Sequence, residues 1–537
     1  MLIHELIEGN ARRRPDGVAW EFAGRRRTWA EVEESTAFMA GNLARLGVRP
    51  GDRIGLFADN SDYLAELYFA LARYGVIAVP INPRSVRREV EYILSDVGAR
   101  GLIVSARLAP QLRQGPGEPL KVDILIGAGD GHGCPIDLGE LYAPAPRVAS
   151  PTGGDPIRAI KYTSGTTGAP KGCISTHRQF LFNIQNYLIQ MPFADDDRCL
   201  LALPMTAGVG IYLLTAYVYK GLPTVIHDRF DAAAFLDDVE RARITRFYAV
   251  PTMLSSLVNN LAEKPRDLSS LRYIGYGGAP AAFALIKRAM EAFGCRFYQT
   301  FGASESGGFV TYLKPQDHLD LIAADAATTD QAGTSIMPCG REVQGFHVRI
   351  VDESGHDVPD GRVGEMWVRS DSTMSGYWNR PEQTAETIRD GWLNTGDLAV
   401  RDAKGIISVV DRKRDMIISG GFNIYSSEIE AIIQQHPGVA EVAVVGVPDP
   451  HWGETIAAFV VVHPGASCSA DELTHICEVN LASYKRPKVF HFIETLPKTN
   501  TGKVRKVELR SLAVSRAAAE AGASPDNSQR NPARKVK

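Results

Sequence analysis

Short apolar runs alternating with helix-period segments, over about four hundred residues, constrain this chain more than any other feature. RIGLFAD, from Arg53, reads as a buried strand, Asp62–Tyr74 as an amphipathic helix and VIAVPIN as the next strand. GLIVSA, LLALP, PTVIH, ITRFYAV and RYIGYGG repeat the pattern, each followed by a helix-like stretch. A strand returning parallel to its neighbour needs a crossover of helical length. The order therefore predicts α/β layering around largely parallel sheet, with no fixed-period repeat.

Near residue 340 the character changes. Between Glu342 and Val368 the segments FHVRIVD and GEMWVRS, with Gly- and Asp-rich turns, predict a small antiparallel β unit. After GIISVVDRKRDMIISGG comes a compact α+β module: a helix from Ser427, strands VAEVAVVGV and IAAFVVV, then a helix near Asp471. At 537 residues the chain exceeds one ordinary core. The charged run Asp411–Asp415, between two apolar strands, marks the expected boundary. Residues 1–413 form one domain, 414–516 a second, and 517–537, rich in Ala, Ser, Asn, Pro and Arg, a disordered tail.

Charge and cysteine usage exclude several function classes. Lys+Arg (59) and Asp+Glu (62) nearly cancel, so no global field draws the chain to nucleic acid or membrane. An anionic ligand must be caught locally. The N-terminal MLIHELIEGNARRRPDG lacks the apolar run of a secretory signal, and YFALARYGVIAVPI, broken by Arg73 and Gly75, is too short to span a bilayer. The seven cysteines (Cys134, Cys173, Cys199, Cys295, Cys339, Cys468 and Cys477) form no CxxC pair and no zinc-spaced cluster. A cytoplasmic enzyme with reduced thiols is expected.

The strongest local signal is Tyr162–Gly172, YTSGTTGAPKG, directly after the strand-like RAIKY. Three glycines, three threonines, a serine and a lysine fall within eleven residues. Glycines let backbone N–H groups approach phosphate oxygens, hydroxyls add donors and Lys171 adds charge. Walker spacing is absent, since Pro170 precedes Lys171 and Gly172 follows it.

This loop has the [ST]SGTTGxPKG form, and on it the chain resembles the adenylate-forming superfamily of acyl-CoA and aryl-CoA synthetases, luciferases and peptide-synthetase adenylation domains. The resemblance continues in order through YGGAP (Tyr276–Pro280), FGASE (Phe301–Glu305), NTGD (Asn394–Asp397), DRKRDMIISGGFNIYSSEIE (Asp411–Glu430) and PKTNTGK (Pro497–Lys503). It implies a large N-terminal domain of two α/β layered subdomains plus a small β-barrel-like unit, followed by a small mobile α+β domain. It also implies activation of a carboxylic acid by ATP and transfer to coenzyme A, with Mg2+ as cofactor.

The same resemblance assigns roles. Thr163, Ser164, Gly165, Thr166, Thr167 and Lys171 cradle the leaving phosphates, and Glu305 ligates Mg2+. Ser304, where relatives usually have Thr, keeps a hydroxyl near the α-phosphate. Phe301 and Gly302 lie against adenine, and Gly277, Gly278 and Ala279 lie flat along the nucleotide. Asp397 accepts from the ribose hydroxyls and Arg412 donates to them. Lys503 bridges acid and α-phosphate as a mobile cation. Arg414, where relatives commonly carry Asp or Lys, is the hinge. Gly420, Gly421 and Phe422 would wall a pantetheine tunnel, and Trp452, Tyr484, Arg486 and Lys488 would contact the nucleotide end of CoA.

The acyl pocket is expected between Leu203–Leu214, Arg246–Leu254 and the strand end Gly275–Gly278. Where many acyl-CoA synthetases have an aromatic pair or His after Leu-Pro, this chain has Thr206 and Ala207, implying a roomier or differently gated pocket. No Asp there pairs an α-ammonium, which argues against amino acids. Tyr248 is placed either to hydrogen-bond a ring hydroxyl or to pack. The expected substrate is an aryl, alicyclic or medium-chain acid. Beyond acid and CoA, the only partner allowed for is a second copy, as a homodimer. A stand-alone adenylating enzyme that loads a carrier protein is the alternative, and nothing marks a luciferase-like oxidation.

Overall fold

The computed structural model describes residues 1–113, 120–151, 153–163, 170–323, 336–419, 422–449, 451–498 and 504–522. Two parallel-rich sheets organise the first two-thirds of the chain. Among the described residues, one has nine strands and includes Cys199–Leu201, Thr224–Ile226, Arg246–Ala249, Tyr273–Gly277 and Arg296–Ala303; the other has seven and includes Arg53–Phe57, Ile77–Pro80, Gly101–Ser105 and Ile157–Thr163. The core strands of both run parallel, for example Phe247 beside Ile274 and Leu56 beside Ile103. A smaller antiparallel sheet holds Phe346–Val351, Gly364–Ser370 and Trp392–Arg401.

Local chemistry sets these elements. Helix Asp62–Tyr74 starts where the Ser61 hydroxyl accepts from the Leu64 N–H and stops at Gly75, in the left-handed region at φ 72°. The run that straddles it is thus a buried helix, a turn and the strand Ile77–Pro80. One expectation is corrected. Among the described residues, GLIVSA leads into the 3-10 turn Ala109–Leu112, which contains Pro110, and not into an α-helix before the parallel strand Ile124–Ala128. Proline in a first turn is tolerated, but no helix-length apolar period follows it.

The described residues fall into two compact units, one ending at Val409 and the other beginning at Val410. The expected boundary lay after residue 413. The difference has a polar cause: Asp411 Oδ2 accepts from the Ser426 N–H and Oγ (2.8 and 2.6 Å), tying residue 411 to the smaller unit. Arg510 donates to Arg414 O (3.2 Å) and Asp415 Oδ1 (2.9 Å), so the charged run is bonded rather than a free solvated turn.

The smaller unit is a mixed sheet with helices on both faces. On strand Val439–Asp449, Val444 faces the core formed with Ile429, Ile433, Leu473 and Cys477, while Ala443 and Val445 face Leu509 and Ala513. Alternation of period two puts neighbouring apolar residues into opposite cores. Helix Lys506–Gly522 runs into the segment expected to be a tail, whose remainder lies outside the described residues.

Candidate active site

Most candidates in the larger unit lie at or just beyond the carboxyl ends of parallel strands, the usual place for ligand-binding loops in such sheets. Thr163 ends strand Ile157–Thr163 and pairs antiparallel with Lys171, so the chain enters and leaves the phosphate loop at one point. Ser164, Gly165, Thr166 and Thr167 lie outside the described residues.

Glu305 sits in the turn after strand Arg296–Ala303. Its Oε1 accepts from Thr163 Oγ1 (3.3 Å) and Tyr377 OH (3.4 Å), and its carbonyl accepts from Met374 N–H (2.9 Å). Tyr377 was not among the sequence candidates. Backbone bonds from Ile174 N–H to Gly376 O (3.0 Å) and from Trp378 N–H to Gly172 O (2.8 Å) lay its segment along strand Lys171–Thr176. Its ring centroid is 5.1 Å from Lys171 Nζ, a cation–π distance. The available signal was the glycine–aromatic run Gly376-Tyr377-Trp378. Cys173, beside this group, is buried, and burial followed by the Glu305 charge holds its thiol well above the usual range. It is no thiolate nucleophile.

The YGGAP turn shows why glycine is needed. A Cβ on Gly277 would overlap the Thr300 carbonyl oxygen and the Tyr248 hydroxyl, while Gly278 adopts φ 79°. Gly277→Ala is expected to lower the melting temperature of the larger unit by the equivalent of about 1–3 kcal/mol, the usual cost of overpacking. An unchanged melting curve would show that the turn yields freely. Gly278 is exposed, and Ala279, Phe301, Gly302 and Ser304 are partly exposed, so the backbone edge is accessible. Asp397 is buried within strand Trp392–Arg401, its N–H donating to Thr395 Oγ1 (3.1 Å).

The segment after Leu203 is pinned by Asn60, whose Nδ2 donates to Leu203 O (2.9 Å) and whose Oδ1 accepts from Met205 N–H (2.7 Å). Thr206 is buried with its hydroxyl unpartnered among the described residues, Ala207 caps the N-terminus of helix Gly208–Lys220 and Gly208 opens it. Tyr248 is buried, its hydroxyl bonded to Thr300 Oγ1 (2.7 Å) and its ring stacked on Phe309 at 5.9 Å. The space a Cβ on Gly275 would need is filled by the rings of Tyr248 and Tyr298. Lys161, also absent from the sequence candidates, reaches this wall from the other sheet. Burial, with Arg158 adding, lowers its ammonium to about 8, which leaves it cationic at neutral pH.

In the smaller unit, Phe422 (54%), Trp452 (51%) and Tyr484 (42%) are unusually exposed aromatics. Phe422 and Tyr484 stack with centroids 4.7 Å apart. Lys488 is exposed. Arg486 is committed to the end of helix Ala470–Asn480, donating to Leu481 O and Glu478 O (both 3.0 Å). Lys485 is paired with Glu428 (2.7 Å). Arg412 also belongs to this unit, and the side chain of Arg414 is 41% exposed and lies 3.7 Å from Asp415. Gly420, Gly421 and Lys503 lie outside the described residues.

Residues 7–378 match the family model described as AMP-binding enzyme, and residues 428–503 match that of the AMP-binding enzyme C-terminal domain. The chain belongs to the AMP-binding enzyme family. It is 36% identical over 503 residues to a feruloyl-CoA synthase of Amycolatopsis sp, covering 93% of this chain and 96% of that protein. It is 32% identical over 506 residues to the fatty acid–[acyl-carrier-protein] ligase ScoC of Streptomyces coeruleorubidus, covering 93% and 94%. The structure of o-succinylbenzoate CoA synthetase from Bacillus subtilis, in complex with its acyl-adenylate intermediate, superimposes with a TM-score of 0.83 at 29% identity, covering 94% of this chain and 97% of that one.

Proposed function

We propose that this ligase activates an aromatic carboxylic acid with ATP and passes the acyl group to coenzyme A. The acid's carboxylate oxygen attacks the α-phosphorus and pyrophosphate leaves. The CoA sulfur then attacks the acyl carbonyl, its proton goes to solvent, and AMP leaves. The observation that carries the reading is the meeting of Thr163, Lys171, Glu305 and Tyr377 at the base of the glycine–threonine loop, in a chain of this family. A cation and hydroxyls there suit a triphosphate. The relatives named for feruloyl and o-succinylbenzoyl thioesters support an aromatic acid.

The donor set fits Mg2+ as ATP brings it. Glu305 is the carboxylate that meets Thr163 and Tyr377 at the base of the loop. Mg2+ is commonly held by one or two carboxylates, with phosphates and water completing the shell, and it neutralises phosphate charge. Thr163 and Tyr377 orient the carboxylate for that role. We also place Phe301 against adenine and Asp397 and Arg412 at the ribose, as the family motifs imply.

Coenzyme A is favoured over a carrier protein by the exposed Phe422, Tyr484 and Trp452 with Lys488 nearby in sequence, a set suited to a nucleotide end. ScoC keeps the carrier reading as the competitor. Purified enzyme with ATP, a panel of benzoic, cinnamic and fatty acids, and either CoA or a holo carrier protein distinguishes them. AMP release that depends on CoA is expected; ADP as product, or turnover only with the carrier, would overturn the proposal. Trp452→Ala and Tyr484→Ala should each raise KM for CoA about 10-fold, the scale of one lost base-stacking contact, with pyrophosphate release unchanged. We assign the enzyme to the cytoplasm, in keeping with its free cysteines; no described helix is long and apolar enough to cross a membrane.

A further inference from the structure

We propose that Lys161 receives the carboxylate of the acid substrate, holding it beside Ser304 for attack on ATP. The assignment rests on the ligase function above and adds to it a residue outside the family motifs.

Lys161 is nine-tenths buried, in register with Cys173 and two positions before Thr163 at the end of strand Ile157–Thr163. Its ammonium has no hydrogen bond to another described residue and no carboxylate within 4.0 Å. A cation on a mostly buried side chain without a charged partner is costly, and its Nζ, not among the atoms sealed from solvent, stands open to the space beside it. The groups that face it are Arg158 on its own strand, Cys173 on the next strand and Glu305 on the turn across the crevice. Only Glu305 is a carboxylate, and Thr163 and Tyr377 already engage it.

The direction in which Lys161 points decides the ligand. A Cβ built on Gly208 would lie 3.6 Å from Lys161 Nζ and 3.9 Å from Ser304 Oγ. The ammonium, the hydroxyl and the start of helix Gly208–Lys220 therefore border one small space. Glycine at 208 keeps that space open. The adjoining wall, Thr206 and Ala207, contributes no charge, so the cation that meets an incoming anion comes from the opposite sheet. Two anions must approach each other for adenylation, and a fixed ammonium lowers the cost of bringing in the second. Lys171, over the Tyr377 ring, stands on the phosphate side, leaving Lys161 for the carboxylate.

Steady-state pyrophosphate release, with the acid and ATP varied in turn, tests this in the full-length enzyme. Lys161→Met is expected to raise KM for the acid about 10- to 100-fold, the span of one charge-assisted hydrogen bond, and to shift KM for ATP by less than about 3-fold. Lys161→Arg should recover most of the acid affinity. Lys161→Met should also melt no lower than wild type, since it removes an unpartnered buried charge. Unchanged acid KM would overturn the assignment, as would a lowered melting temperature with both KM values rising together, the mark of a structural lysine. Wild type forming no AMP with any acid would instead overturn the ligase function itself.

Discussion

Lys503→Ala is expected to slow adenylate formation by at least about 10²–10³, the scale of one donor aimed at developing charge. When a carboxylate attacks the α-phosphorus, negative charge gathers on the phosphoryl oxygens and the leaving pyrophosphate. On the function proposed above, the larger unit would answer that charge with Lys171, which lies over the Tyr377 ring, and Lys161, which lies beside Gly208. The motif PKTNTGK places the third cation, Lys503, on the smaller unit. A group supplied by a separate domain can be withdrawn once the adenylate exists, which gives the thiol room to reach the carbonyl. The two half-reactions should therefore respond differently. Pyrophosphate release from acid and ATP should collapse, whereas thioester formation from chemically prepared acyl adenylate should fall by less than about 10-fold. Equal losses in both would remove Lys503 from the chemistry of the first step. The contrast with Lys161→Met is built in: that variant loses acid affinity, this one loses rate.

The strands and helices were legible where the period was clean. The helix expected at Asp62–Tyr74 is present, as are the strands at Arg53–Phe57, Ile77–Pro80 and Tyr273–Gly277, because apolar residues at fixed spacing leave few alternatives. The glycine–threonine–lysine run stood out by the order of its residues rather than by composition, and most of it lies outside the described residues. What escaped was whatever depends on pairing between distant segments. Tyr377 reaches Glu305 only because its segment bridges to Cys173, some two hundred residues earlier in the chain. Lys161 is one residue of the strand-like RAIKY; its burial and its place beside Gly208 are not written locally. Partners within the small unit were equally hidden: Arg486, expected at CoA, donates to the helix-end carbonyls of Leu481 and Glu478, and its neighbour Lys485 pairs with Glu428.

Acid should unfold the larger unit well before its carboxylates titrate fully, because three of its histidines are buried as neutral rings. Burial, with Arg73 and the N-terminal ammonium adding, lowers His4 from 6.5 to about 4. Burial, then Arg158 and His4, lowers His177 to about 3, and burial lowers His318 to about 4. Their bonds fit the neutral form. His318 Nδ1 donates to Lys314 O (2.8 Å), so Nε2 is left to accept from Tyr276 OH (2.9 Å). His177 Nδ1 accepts from the Ile3 N–H (3.3 Å), which a proton there would abolish. A folded-state pKa below the unfolded one means that the unfolded chain binds more protons between the two values. The stability these rings contribute is thus complete above about 6.5 and is lost as pH falls toward 4. Melting temperature followed from pH 7.5 to 4 should fall steeply below about 6, and His318→Gln should flatten part of that slope. A melting temperature level down to pH 4.5 would mean that these rings are not held neutral by the fold.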